Sequence, residues 1–224
     1  MPTWLDAWGA DALAFAASAL LIGGYYAFLW RRARHDPHYT IHGVNETARS
    51  LWVHDVMGSR GKDVMAVQTL RNYVMAATFM ASTSVLLILG TLTLSGQTES
   101  LARTWHAINV GGSGAAEAWI VKVMCLLTDF IVAFFAFAMA IRLLNHVAFM
   151  INLPDAARQP GLAPRDVADR LVRAGHFYSV GMRAFFVAVP LVFWLFGPLY
   201  LVVATVGLTI AMHWLERSSR SDGD

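Results

Sequence analysis

The sequence predicts an all-α, polytopic membrane fold, and three observations predict it. Of its 224 residues, 57% are hydrophobic and 14% charged, against roughly 45–50% and about 25% in an ordinary soluble domain. Five apolar runs follow one another, most of them long enough to cross a bilayer core of about 30 Å. Basic residues gather on one side of the bundle that these runs would form. The chain therefore reads as one integral membrane domain over 1–224, with spans at about 11–30, 72–94, 118–141, 176–196 and 199–214.

The first run follows Asp6 and Asp11 and is closed at once by Arg31, Arg32 and Arg34. A secretory signal carries its positive charge in front, so this is predicted to be a retained helix with its N-terminus outside. Tyr25, Tyr26 and Trp30 suit its inner interface. Threading the runs alternately puts every one of the 17 Lys and Arg residues except Arg103 and Lys122 on one side or at its edge. That asymmetry predicts a cytoplasmic C-terminus. The connections 31–71 and 142–173 then face the cytoplasm, and 95–117, with GGSG at 111–114, forms the outer loop.

The last two runs are joined by WLFGPLY at 194–200. Gly197 can bend there and Pro198 can open a helix at its first position, so a tight hairpin is expected. Two spans and a re-entrant pair of short helices both return the chain to the same side. The mild stretch HFYSVGM at 176–182 favours two spans, giving five in all rather than three plus a re-entrant hairpin.

Both cytoplasmic connections are predicted to hold an amphipathic helix. In NETARSLWVHDVMG at 45–58, Ala48, Leu51, Trp52 and Val56 recur at helical spacing, with Asn45 as cap and Gly58 as stop. In APRDVADRLVRAG at 163–175, Val167, Leu171 and Ala174 share a face, while Asp166 and Asp169 stand four residues before Arg170 and Arg173. These helices are expected at the membrane surface, either covering the bundle end or binding lipid or a partner.

The net charge of +2 argues against nucleic acid, whose binders cluster basic residues on one face. Cys125 is the only cysteine, which excludes an intrachain disulfide and a thiol metal cluster. No internal repeat of the kind many transporters carry is visible.

The stretches AVQTLRNYVMAATFMASTSVLLILG at 66–90, RLLNH at 142–146 and GMRAFFVAVPLVFWLFGP at 181–198 resemble the bacterial and plant membrane proteins of domain-of-unknown-function family 599. The resemblance runs from about Tyr25 to Leu215. It implies an integral helical protein, here of a bacterial inner membrane, and carries no family activity or site residues.

Asp129, in CLLTDFIVAFFAFA at 125–138, lies about 11 residues, or roughly 16 Å, below the outer edge of the third span. A carboxylate facing lipid there costs on the order of 2.5–3.5 kcal/mol, so it should face protein, water or an ion. Ala133, Ala136 and Ala140 on its face would admit a close neighbouring helix, and Lys122 and Cys125 continue that face outward. Two readings stand: Asp129 binds a cation or relays a proton, or it pairs with a neighbouring helix and sets packing. Arg183 is the expected partner, unless it snorkels to the inner interface.

Gln68, Asn72, Ala76, Phe79 and Thr83 form a stripe on the second run, read as interhelical hydrogen bonds or a pore lining. Arg142, Asn145 and His146 stand at the inner end of the third run, with His176 and His213 at the same level. Three imidazoles there could hold a metal and two a haem; hydrogen bonding at the interface is the simpler reading. HDPHYTIH at 35–42 reads as a loop. GSRGKD at 58–63 lacks the glycine spacing and hydroxyl residue of a phosphate loop. No spacing argues for nucleophilic catalysis, and no cofactor is expected.

The function expected is a homo-oligomeric channel or transporter component for a small ion, with Asp129 as its site and Arg183, Asn72 and Gln68 as supporting candidates. The alternative is a non-catalytic scaffold, or one subunit of a larger membrane complex.

Overall fold

A computed structural model describes residues 4–35, 41–59, 61–96, 116–153 and 159–216. Six helices make up the described structure: α1 (Trp4–His35), α2 (Ile41–Gly58), α3 (Asp63–Gly96), α4 (Ala116–Met150), α5 (Pro164–Trp194) and α6 (Pro198–Glu216). All but α2 are long and apolar enough to cross a membrane. The expected outer loop with Arg103, and most of the 35–42 histidine stretch, lie outside the described residues.

α5 and α6 are each long enough to span, which supports the five-span reading over a re-entrant pair. Gly197 makes their turn at φ 144°, a conformation that side-chain-bearing residues rarely adopt, and α6 opens at Pro198. Pro190 interrupts the hydrogen bonding of α5, because its nitrogen has no hydrogen to give the Phe186 carbonyl.

Three buried clusters follow the bundle from end to end. At the α2 end, Val53 and Val56 of α2 meet Ala66 and Leu70 of α3, Leu144 and Val147 of α4, and Val167 and Leu171 of α5. In the middle Phe137 sits among Ala81, Ala133 and Ala184. A Cβ added at Gly181 would stand 2.7 Å from the Phe137 ring, so this ring needs a glycine opposite it. At the far end Trp119, Val123 and Phe130 of α4 pack with Leu191 and Trp194 of α5, Leu201 of α6 and Ala14 of α1.

Two local expectations are revised. The amphipathic stretch at 163–175 buries Val167, Leu171 and Ala174 as predicted, but it is the first half of α5 and not a separate surface helix. No residue in its GHFYSV continuation breaks a helix, so the 31-residue α5 simply runs on. Arg170 does not need the i,i+4 pairing: it donates to the Gly161 carbonyl at 2.8 Å. In α2 the predicted Val56 is buried and Trp52 packs beside it, but Val53 joins them in place of Leu51, which is 64% exposed, and Ala48 is exposed too. The helix begins at Ile41, four residues before the expected cap Asn45, and ends at Gly58 as predicted.

Candidate functional site

Among the ionisable groups of α4, Lys122 and Asp129 stand seven residues apart. Seven residues are nearly two whole turns, so both lie on one face, about 10 Å apart along the axis. Each is met by a different environment.

Lys122 Nζ lies 2.8 Å from Asp11 Oδ1 of α1, and both side chains are almost completely buried. Trp194 at the end of α5 donates its indole N–H to the same Asp11 oxygen at 2.9 Å. The Lys122 ammonium stands 5.5 Å from the centre of the Trp194 ring. Phe15 stacks on that ring with centroids 4.9 Å apart. The charge-assisted bonds satisfy the aspartate and join α1, α4 and α5.

Two turns along α4, Asp129 borders a cavity of about 710 Å³. α1 contributes Phe15, Ser18, Ile22 and Gly23, α4 the face from Ile120 to Val132, α5 Pro190 and Leu191, and α6 Leu201 and Thr205. Ile120, Met124 and Val132 on its rim are about half exposed, so the cavity opens sideways between α1 and α4. Its wall is mostly apolar. The polar atoms in it are therefore conspicuous: Asp129 Oδ2 and Ser18 Oγ are both buried with no hydrogen-bond partner. Thr128 and Thr205 also line it. Each donates its hydroxyl hydrogen back to its own helix, to Met124 O at 2.8 Å and Leu201 O at 2.7 Å. Their oxygens thus remain able to accept or to coordinate.

The other expected residues lie elsewhere. Arg183 stands over the Tyr26 ring at 5.0 Å, beyond the α1 residues that line the cavity with Asp129. It is therefore not the partner of the Asp129 Oδ2 atom, which has none. The physical reason is level: Phe130 meets Phe185 across the α4–α5 contact, and Arg183 lies further toward the α2 end, on the side of α1. Gln68, Asn72 and Thr83 are exposed on α3, whose buried stripe is instead Ala66, Leu70, Ala77, Ala81 and Ser84. Arg142, Asn145, His146 and His213 are exposed. His176 meets His42 of α2, ring centroids 5.8 Å apart, and not the other two predicted imidazoles. Among the described residues no three His, Cys, Asp or Glu side chains are grouped to hold a metal.

Sequence reasoning missed the Asp11–Lys122 pair. A signal was present, since opposite charges stand at the outer edges of the first and third runs, but Asp11 had been given only a flanking role. Ser18 and Pro190 carried no comparable signal.

Five spanning helices packed into one bundle, with a carboxylate at the wall of a lateral cavity, define a polytopic helical membrane protein. The chain belongs to the family described as protein of unknown function, DUF599, whose model matches residues 13–221. No curated protein and no solved structure matches it.

Proposed function

We propose that this protein is a membrane transport component in which Asp129 takes up a proton or a small cation from the lateral cavity. The observation that carries the reading is the unpartnered Asp129 Oδ2 in an apolar wall. Such an oxygen is costly to bury unless a proton or cation satisfies it. Ser18, Thr128 and Thr205 supply the neutral oxygens that would share a cation with it. Asp129 would bind and release the charge, and the opening between α1 and α4 would be closed by another copy of the chain. The exposed Asn72 and Thr83 on the lipid-spanning part of α3 support self-association, because polar groups in lipid seek partners on other helices, and Gln68 continues that face at the inner edge. In this arrangement the N-terminus is outside and the α2 end cytoplasmic, as the charge asymmetry favours.

The test is reconstitution in liposomes with dyes for protons and alkali cations inside. The wild-type protein should dissipate a gradient of one of these ions, and Asp129→Asn should abolish that flux with the melting temperature unchanged. Equal flux in the variant, or no flux of any of these ions through the wild type, would overturn the assignment.

A further inference from the structure

The cavity beside Asp129 is larger and more apolar than a bare ion needs. A hard metal cation gathers about six or more oxygens around it. Of the side chains that wall this space of about 710 Å³, only those of Ser18, Thr128, Asp129 and Thr205 carry an oxygen, and the rest present carbon or the sulfur of Met124 and Cys125. Sites for organic molecules have this make-up: about 300–1,000 Å³, mostly apolar, with a few placed polar groups.

The polar groups sort by sign. Thr128 and Thr205 commit their hydroxyl hydrogens to carbonyls of their own helices, so toward a ligand they only accept. Asp129 Oδ2 has no donor, and Ser18 Oγ, in a side chain 5% exposed, has no partner either. Lys122, the other charge on this face of α4, is already held by Asp11. The wall therefore suits a donor that carries positive charge and would repel a carboxylate or a phosphate. An ammonium group supplies both the charge and the N–H donors.

The way in is lateral. With Ile120, Met124 and Val132 half-exposed at its rim, the opening between α1 and α4 faces the hydrocarbon of the bilayer, or the junction with a second copy proposed above. A molecule with an apolar body collects in that phase, whereas a bare metal ion is driven out of it. On the α1 side a Cβ added at Gly23 would meet nothing within 4 Å, so the space there is open down to the backbone.

We propose that this cavity binds a lipophilic organic ammonium ion, with its head on Asp129 and its apolar body along the walls from α1 and α4. The proposal rests on the reading that Asp129 takes up positive charge, and it names the class of cation. Proton and ammonium then compete for one carboxylate, and arrival of the ammonium releases the proton.

The experiment uses the full chain in phosphatidylcholine nanodiscs, with empty discs as the blank. Three fluorescent probes share a ring and a chain and differ at the end group: pyrenebutylammonium, pyrenebutanol and pyrenebutyrate. Saturable binding of the ammonium, roughly tenfold or more tighter than that of the alcohol, is expected from one charge-assisted hydrogen bond, with no binding of the butyrate. Asp129→Asn should abolish the preference for the ammonium and leave the alcohol bound. Gly23→Phe turns a ring into the open space and replaces a residue that weakens helices. It should weaken the ammonium and the alcohol alike, and it reads the cavity even where Asp129→Asn does not fold. No saturable ammonium binding in the wild type, equal affinity for ammonium and alcohol, or undiminished binding in Gly23→Phe would overturn the proposal. Binding is read without an ion gradient, so the two readings fail separately: Asp129-dependent flux of protons or alkali ions with no ammonium binding would overturn the organic cation and leave the transport reading in place.

Discussion

Asp11 and Asp129 are both carboxylates set in apolar helices, yet the bundle treats them in opposite ways. Asp11 is held by Lys122 and by the Trp194 indole, and Phe15 stacks over the assembly. Asp129 shares the face of α4 that carries Lys122, and its buried oxygen has no partner. The lysine is committed to α1 at the end of the bundle, while two turns further on α1 presents Ser18, Ile22 and Gly23. The contrast teaches that a charge in such a bundle is structural when a second helix supplies its counter-charge at the same level. It is available for binding when the facing helix supplies only small or apolar residues.

The comparison breaks most severely at Lys122. Lys122→Met strands a buried aspartate, and removing one partner of such a pair costs about 3–5 kcal/mol. A large fall in the detergent melting temperature, or in the folded yield, is the expected reading. The double variant Asp11→Leu with Lys122→Met removes both charges and should recover most of that loss; no recovery would mean that packing and not charge held the site. Trp194→Phe keeps the ring stacking and deletes one hydrogen bond to a charged oxygen, a change of about 1.5–3 kcal/mol.

At the α2 end, the predicted effect is smaller and depends on pH. Burial above all, with Arg183, His176 and Arg49 acting in the same direction and Glu46 opposing, makes His42 bind its proton less readily in the folded protein than in the unfolded chain. Its contribution is therefore complete above the ordinary value of 6.5 and is lost as pH falls through the lower folded-state value. Melting temperature should drop on acidification, and His42→Gln should flatten that slope. A steeper slope in the variant would contradict the sign.

The smallest effect is expected in the cavity itself. Ser18→Ala removes a buried hydroxyl that has no partner, so stability should hold within about 1 kcal/mol or rise. A loss comparable to that of Lys122→Met would mean that Ser18 has a role in packing that its unpartnered oxygen does not suggest.

Much of the architecture was legible in the sequence because lipid imposes simple rules. Five long apolar runs, the Gly197–Pro198 turn and the burial of Val167, Leu171 and Ala174 all follow from length, backbone restriction and helical period. The face of α2 was read in part: Val56 is buried and Trp52 packs beside it as predicted, but contact with α3, α4 and α5 chose Val53 in place of Leu51, which fits a helix equally well. The stripe from Gln68 to Thr83 was seen correctly as a stripe, but periodicity does not say which side of a helix faces its neighbours.

By itself, then, the sequence determined the helical class, the number of long apolar segments and the presence of a carboxylate deep in the third of them. These are properties of single segments against a solvent. Tertiary structure alone decided that Lys122 belongs to Asp11, that Arg183 stands by Tyr26, that His176 meets His42 and that Asp129 is left with an unsatisfied oxygen. Each of these depends on the relative height and rotation of two helices remote in sequence, and a change of one turn, about 5.4 Å, would exchange one partner for another.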